Sequence, residues 1–182
     1  MTAPMPQPGT PAEFLKSRIR NVPDFPKPGI LFYDITTLLR DPEGFKIAIE
    51  SLSAPFAGAG IDIVVGIESR GFILGGPVAD RLGAGFCPIR KPGKLPAKAL
   101  RESFKLEYGT DALEIHEDGV AAGQRVLVVD DVLATGGTAK AAASLVKQLG
   151  GQLHALAFLI ELDFLKGRGQ LPGERVMSVL HY

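Results

Sequence analysis

The run from Val126 to Thr138 does most to limit what this chain can become. Val126-Leu127-Val128-Val129 is a short stretch of β-favouring apolar residues and reads as a strand buried on both faces. Asp130 and Asp131 follow at its expected end, and then comes the turn Ala134-Thr135-Gly136-Gly137-Thr138. Residues 139–147 are strongly helix-forming. A strand that passes through a glycine turn into a helix aims bare N–H groups and the positive end of the helix dipole at one spot. That spot is a cradle for phosphate. Gly136 and Gly137 let a ligand come close, and the hydroxyls of Thr135 and Thr138 add donors suited to a phosphate monoester. Adjacent aspartates repel one another unless a ligand or metal uses them.

Other phosphate loops fit badly. Gly66 and Gly71 have the spacing of a P-loop, but Phe72 stands where its lysine must be. No Gly-x-Gly-x-x-Gly opens a helix after a strand, as a dinucleotide fold requires.

Around this run, strands are expected at 61–65, 86–89, 156–160 and 176–180. Thr10, Pro11 and Glu13 form a capping box for a helix to about Arg20, and Asp41-Pro42 opens another to about Leu52. A further helix is expected over 72–82. The alternation predicts an α/β fold, a mostly parallel sheet flanked by helices within a single domain. Both polar glycine turns, 66–71 and 130–138, fall at carboxyl ends of strands and should face one crevice. Residues 25–35 read as a proline-stiffened apolar segment, 91–111 as a long loop or flexible hairpin, and 1–9 as disordered.

Twenty basic and twenty acidic side chains give no net charge, which argues against a general nucleic-acid binder. No signal peptide and no apolar run of membrane-spanning length is evident, so a cytoplasmic enzyme is the natural class. Cys87, in an apolar stretch, reads as a buried, inert thiol. His116 and His181 read as surface residues, and His154 as bordering a strand.

The twin acids with Thr-Gly-Gly-Thr resemble the phosphoribosyl-diphosphate (PRPP) motif of type I phosphoribosyltransferases. Three further segments sharpen the resemblance toward the adenine branch of that family. These are Arg90-Lys91-Pro92-Gly93-Lys94-Leu95-Pro96, Leu106-Glu107-Tyr108-Gly109, and the hood-like 25–35. The resemblance runs from about Pro11 to Leu180. It implies a single phosphoribosyltransferase domain over 10–182, with a small base-binding hood near 23–36 and a flexible lid near 91–111. It implies transfer of a phosphoribosyl group from PRPP to adenine, giving AMP and pyrophosphate, with Mg²⁺ held through PRPP and water and not by a dedicated protein site.

Carried over residue by residue, Ala134, Thr135, Gly136, Gly137 and Thr138 hold the 5′-phosphate. Asp130 and Asp131 engage the ribose hydroxyls or the waters of Mg²⁺, where fixed carboxylates would stabilise positive charge building on the sugar. Arg70 offers pyrophosphate a planar fork of donors, with Glu68 and Ser69 beside it. Arg90 and Lys91 reach pyrophosphate, the arginine from a neighbouring subunit, which implies a homodimer; Lys94 belongs to the lid. Glu107 acts as acid at the purine N7, and Tyr108 orders the lid. Phe32 stacks on one face of the base, Val132 packs on the other, and the backbone of Leu31 reads the 6-amino edge.

Two positions depart from relatives. Many carry arginine where this chain has Tyr33. Hypoxanthine–guanine enzymes carry aspartate where this chain has Ala134, and its absence favours adenine. The rival readings are a hypoxanthine, guanine or xanthine transferase and a PRPP-sensing regulator, the latter opposed by the zero net charge. No membrane partner is expected.

Overall fold

The computed structural model describes residues 9–105 and 110–182, without the side chain of Lys105. The chain divides into two compact units, one ending at Ser51 and the other running from Leu52 to Tyr182.

In the first unit, α1 (Pro11–Arg18) is capped as expected: the Thr10 hydroxyl oxygen accepts from the Glu13 N–H at 3.2 Å. Segment 25–35, expected to be irregular, instead contributes to an antiparallel hairpin of β1 (Arg20–Pro23) and β2 (Leu31–Asp34), with Val22 opposite Phe32. The prolines at 26 and 28 lie in its turn and leave 31–34 free to pair. The turn is held by Asp24, whose carboxylate accepts from the Gly29 N–H at 2.7 Å. Then follow α2 (Thr36–Arg40) and α3 (Pro42–Ser53), with Asp41 accepting from the N–H groups of Glu43 and Gly44.

The second unit is built on a five-stranded parallel sheet. Along the chain it contains β3 (Ile63–Ile67), α4 (Arg70–Leu82) and β4 (Gly85–Ile89). A hairpin of β5 (Ala99–Lys105) and β6 (Thr110–His116) comes next. β7 (Arg125–Leu133), α5 (Gly137–Gln148), β8 (Gln152–Glu161) and β9 (Val176–His181) complete it. The strand order is β4-β3-β7-β8-β9. Val65 and Ile67 share a core with Val126 and Val128, with Ala142, Leu145 and Val146 of α5, and with Leu113 and Ile115 of the hairpin. The alternate face of β3 carries Gly66, where a side-chain carbon would lie 2.9 Å from the Gly71 carbonyl. α4 therefore rides close on that face, and the two helices cover opposite sides of the sheet.

From β3 the chain steps outward to β4, whereas from β7 it steps the other way to β8 and β9. The reversal puts a topological switch point between the carboxyl ends of β3 and β7, where open α/β sheets bind ligands.

Of the expected lid, residues 99–105 are strand and 106–109 lie outside the described residues, Glu107 and Tyr108 with them. The hairpin is docked on α5, and Gln148 Nε2 donates to Glu102 at 2.7 Å. Among the described residues, no helix is long and apolar enough to cross a membrane.

Candidate active site

The acid pair lies inside β7 and does not follow it, which corrects the expectation that the strand stops at Val129. Pairing with β3 ends at Gly66 opposite Val129, but β8 is long enough to go on pairing with Asp130, Val132 and Leu133. One flank of the acids thus stays in the ladder while the other opens at the switch point. Asp130 and Asp131 are both buried, and Asp130 Oδ1 accepts from the Asp131 N–H at 2.9 Å. Gly71 closes over them, for a side-chain carbon there would sit 2.9 Å from Asp130 Oδ1.

Arg70 Nε stands 2.8 Å from Asp131 Oδ2, although no aligned hydrogen bond reaches that oxygen, so the pairing is one of charge. Burial pushes the Asp130 carboxyl well above its ordinary range, and the neighbouring Asp131 charge adds to this. Burial raises Asp131 too, with Arg70 pulling against it. Two residues assigned to different parts of a ligand, Arg70 and Asp131, are therefore neighbours.

After Leu133 the chain turns through 134–136 into α5. Gly136 adopts φ +88°, a left-handed conformation that side chains resist, and it caps the helix without a side-chain hydrogen bond. The first-turn N–H groups of such a helix have no intrahelical acceptor. Thr135 is exposed, Ala134, Gly137 and Thr138 are half-buried, and Val132 is half-buried just upstream.

A second pair of turns meets at the carboxyl ends of β3 and β4. Glu68 accepts from Arg90 Nε at 3.2 Å, from Arg90 Nη2 at 3.3 Å and from the Lys91 N–H at 3.0 Å. The Lys91 N–H, then the hydrogen bonds and charge of Arg90, hold Glu68 below the usual carboxylate range against the cost of burial. Arg90 Nη1 also donates to the Lys94 carbonyl, and Gly93 N–H to Glu114. Lys91 Nζ pairs with Asp111, while the side chain of Lys94 is exposed. Arg90, Lys91 and Lys94 thus belong to one tight turn stitched to the 66–71 turn by Glu68. Sequence reasoning missed Asp111 and Glu114 as partners of this turn; their placement opposite basic residues depends on hairpin register, which spacing alone does not reveal.

In the N-terminal unit, Leu31 and Phe32 lie on β2. Leu31 is exposed, and Phe25 packs edge-on to Phe32 with ring centroids 5.2 Å apart. Tyr33 is half-buried on the same strand.

Cys87 is buried, and burial pushes its thiol up to about 11, as an inert thiol requires. The histidines are placed differently from expectation in two cases: His154 lies within β8, and His116 is half-buried with Nε2 inaccessible.

A parallel sheet whose switch point holds a glycine-rich helix entry, twin buried acids and an arginine is the framework of an α/β protein that binds phosphorylated ligands there. The phosphoribosyl transferase domain model matches residues 36–174. The adenine phosphoribosyltransferase of Acidobacterium capsulatum is 60% identical over 170 residues, covering 93% of this chain and 94% of that protein. The crystal structure of the enzyme of that name from Rhodothermus marinus superposes with a TM-score of 0.90 at 55% identity, covering 94% of this chain and 98% of the other. The Saccharomyces cerevisiae enzyme, solved with an imino-altritol bisphosphate and adenine, gives 0.89 at 42% identity, covering 93% and 98%. The chain belongs to the adenine phosphoribosyltransferase family, which bears out the resemblance read from its motifs.

Proposed function

We propose that this protein transfers the 5-phosphoribosyl group of PRPP to adenine, giving AMP and pyrophosphate, a step of purine salvage. The observation that carries the reading is the glycine-led entry to α5, without a side-chain cap, a short turn beyond two buried carboxylates at the switch point. Relatives at this level of identity over nearly the whole chain support adenine as the base.

In this reading the N–H groups and hydroxyls of 134–138 bind the 5′-phosphate, and Arg70, Arg90 and Lys91 bind pyrophosphate, with Lys94 beside them. Anchoring both ends of the donor orients C1′ between base and leaving group. As the bond from C1′ to pyrophosphate loosens, positive charge grows on the ribose, and Asp130 and Asp131 stabilise it through its hydroxyls. Glu107 bonds the N7 proton of adenine, which leaves N9 unprotonated to attack, and takes that proton as the C1′–N9 bond forms and pyrophosphate departs; Tyr108 orders the lid. Leu31 and Phe32 are assigned to base recognition: a backbone donor beside an acceptor suits the 6-amino edge, and a 6-oxo purine would leave both unpaired at about 1–3 kcal/mol each. Val132 is assigned to apolar contact with the base.

Mg²⁺ fits the donor set, since two adjacent carboxylates suit a hard, hydrated cation, although Asp131 Oδ2 is paired with Arg70 and would have to give up that contact. Asp130 and Asp131 would accept from its waters. When bound, the ion neutralises charge on the departing pyrophosphate. The reading includes a homodimer, by the similarity of the Arg90-Lys91 turn to that of relatives, and a cytoplasmic location.

A spectrophotometric assay with each purine base, PRPP and Mg²⁺ tests the proposal. AMP should form from adenine, with hypoxanthine, guanine and xanthine turned over at least tenfold less well. Turnover of a 6-oxo purine with adenine untouched would refute the base assignment. Tight nucleic-acid binding without AMP formation would replace the enzyme by a regulator.

A further inference from the structure

Between β8 and β9 the chain passes through a short 3₁₀ stretch, Gly167–Gln170, which lies against the back of the 134–138 turn. A side-chain carbon on Gly167 would fall 2.2 Å from the Ala134 carbonyl oxygen. One on Gly136 would fall 2.4 Å from the Gly167 carbonyl oxygen. The two backbones touch, with no side chain between them to absorb movement. Whatever fixes Gly167 therefore fixes the turn.

Arg168 does the fixing. Its Nε and Nη2 donate to the two oxygens of Glu161 at 2.6 and 2.7 Å, and its Nη1 donates to the Val176 carbonyl at 2.9 Å. Ser178 donates its hydroxyl to the same carboxylate at 2.5 Å. Glu161 is 4% exposed and ends β8, in register with Leu133, the last residue of β7 before the turn. The Leu162 N–H extends that ladder to the Leu133 carbonyl at 3.0 Å. A bidentate Arg–carboxylate fork has a defined orientation, unlike a single-point ion pair. Glu161 also lies near Asp163 and His181. Both its oxygens already accept from Arg168, however, so the group is read as an ion-pair network and not as a metal site.

We propose that the Glu161–Arg168 fork is a positioning device that holds the Gly167 backbone against the phosphate-binding turn and so sets the geometry with which 134–138 grips the sugar phosphate. The inference rests on the reading of 134–138 as the 5′-phosphate cradle. Arg168 and Glu161 touch no substrate; they act through Gly167.

The test compares Arg168→Lys, which keeps the charge and loses the fork, with Thr135→Val and Thr138→Val, which remove cradle hydroxyls directly. The Arg168 side chain is 46% exposed, so the lysine variant should fold. It should raise KM for PRPP and Kd for ribose 5-phosphate about tenfold, with KM for adenine unchanged and a melting temperature within a few degrees of wild type. Ser178→Ala, which leaves the fork in place but loosens its carboxylate, should show the same pattern more weakly. If the threonine variants lose ribose 5-phosphate affinity while Arg168→Lys and Ser178→Ala keep it, the positioning role is wrong and the cradle stands. Equal weakening for PRPP and adenine would show general damage and also overturn the role. Threonine variants with undiminished affinity would sink the cradle reading, and this inference with it.

Discussion

Asp130 and Asp131 show how much a site of this kind costs in its own surroundings. Two successive carboxylates on a central strand lose their hydration together, and one arginine answers them. Asp130→Asn keeps the shape and removes the charge, so it should abolish or severely reduce turnover while stabilising the fold by on the order of 1 kcal/mol at neutral pH. The sign follows from the raised carboxyl. Stability tied to a raised group is fully present below the ordinary pKa of 3.8 and is lost as pH rises through the folded value. The variant's advantage should therefore be absent near pH 4 and grow toward pH 8, as read by melting temperature at each pH. A variant less stable than wild type at every pH would show that Asp130 supports the fold as an ionised group. Glu107 makes a complementary case. Glu107→Gln should lower kcat by 10² or more with the KM for PRPP little changed, because a proton held at the base matters to the chemical step and not to gripping the donor. An unchanged kcat would remove Glu107 from the mechanism.

At the level of elements, what the sequence revealed was what local chemistry controls. The Thr10 and Asp41 caps, the glycine entry to α5 and the apolar runs of the parallel strands all follow from short-range pattern, and each is found. What stayed hidden depends on which segment pairs with which. β7 runs on through Asp130 and Asp131 because β8 offers a partner there, a fact about another strand. β2 is masked by the prolines of its own turn; a hairpin is one of the two readings offered for 91–111, but its reach to His116 and its docking on α5 are not in the local pattern. Of the candidate site, the glycine turn into α5 and the paired acids were legible as chain geometry; the Arg70–Asp131 pairing and the Gly167 backing were not, since both arise from tertiary approach. The hairpin of β1 and β2 carries its own pH signature. Arg20, then the Thr36 N–H and hydroxyl, hold Asp34 down to about 2 from an ordinary 3.8. A lowered carboxyl gives stability that is present above the ordinary value and is lost as pH falls through the folded one. Asp34→Asn should therefore cost a few degrees of melting temperature above pH 4, with the gap to wild type closing as pH approaches 2. A gap that persists undiminished at pH 2 would assign the loss to packing instead of charge.

For the whole molecule, the proposed homodimer turns on which subunit's arginine serves which site. Within this chain Arg90 is held by Glu68, at the same sheet end as Arg70 and the acids. That neighbourhood suits an arginine acting with its own chain's 66–71 turn. The proposed homodimer instead sends Arg90 to a partner's site. The two arrangements make opposite predictions for mixed subunits. Arg70→Ala and Arg90→Ala should each be nearly inactive alone, since each removes a guanidinium that the proposed reading places on pyrophosphate. If Arg90 acts across the interface, a mixed dimer has one site with both arginines and one with neither. Unfolding the two variants together and refolding them in equal amounts should then recover roughly a quarter of wild-type activity, because half the dimers are mixed and half of their sites are whole. If Arg90 serves its own chain, every site in the mixture lacks one arginine and no activity returns. Sedimentation of the same mixture must show a dimer for the first outcome, whereas a monomer that retains full wild-type activity would remove the interface from the mechanism altogether.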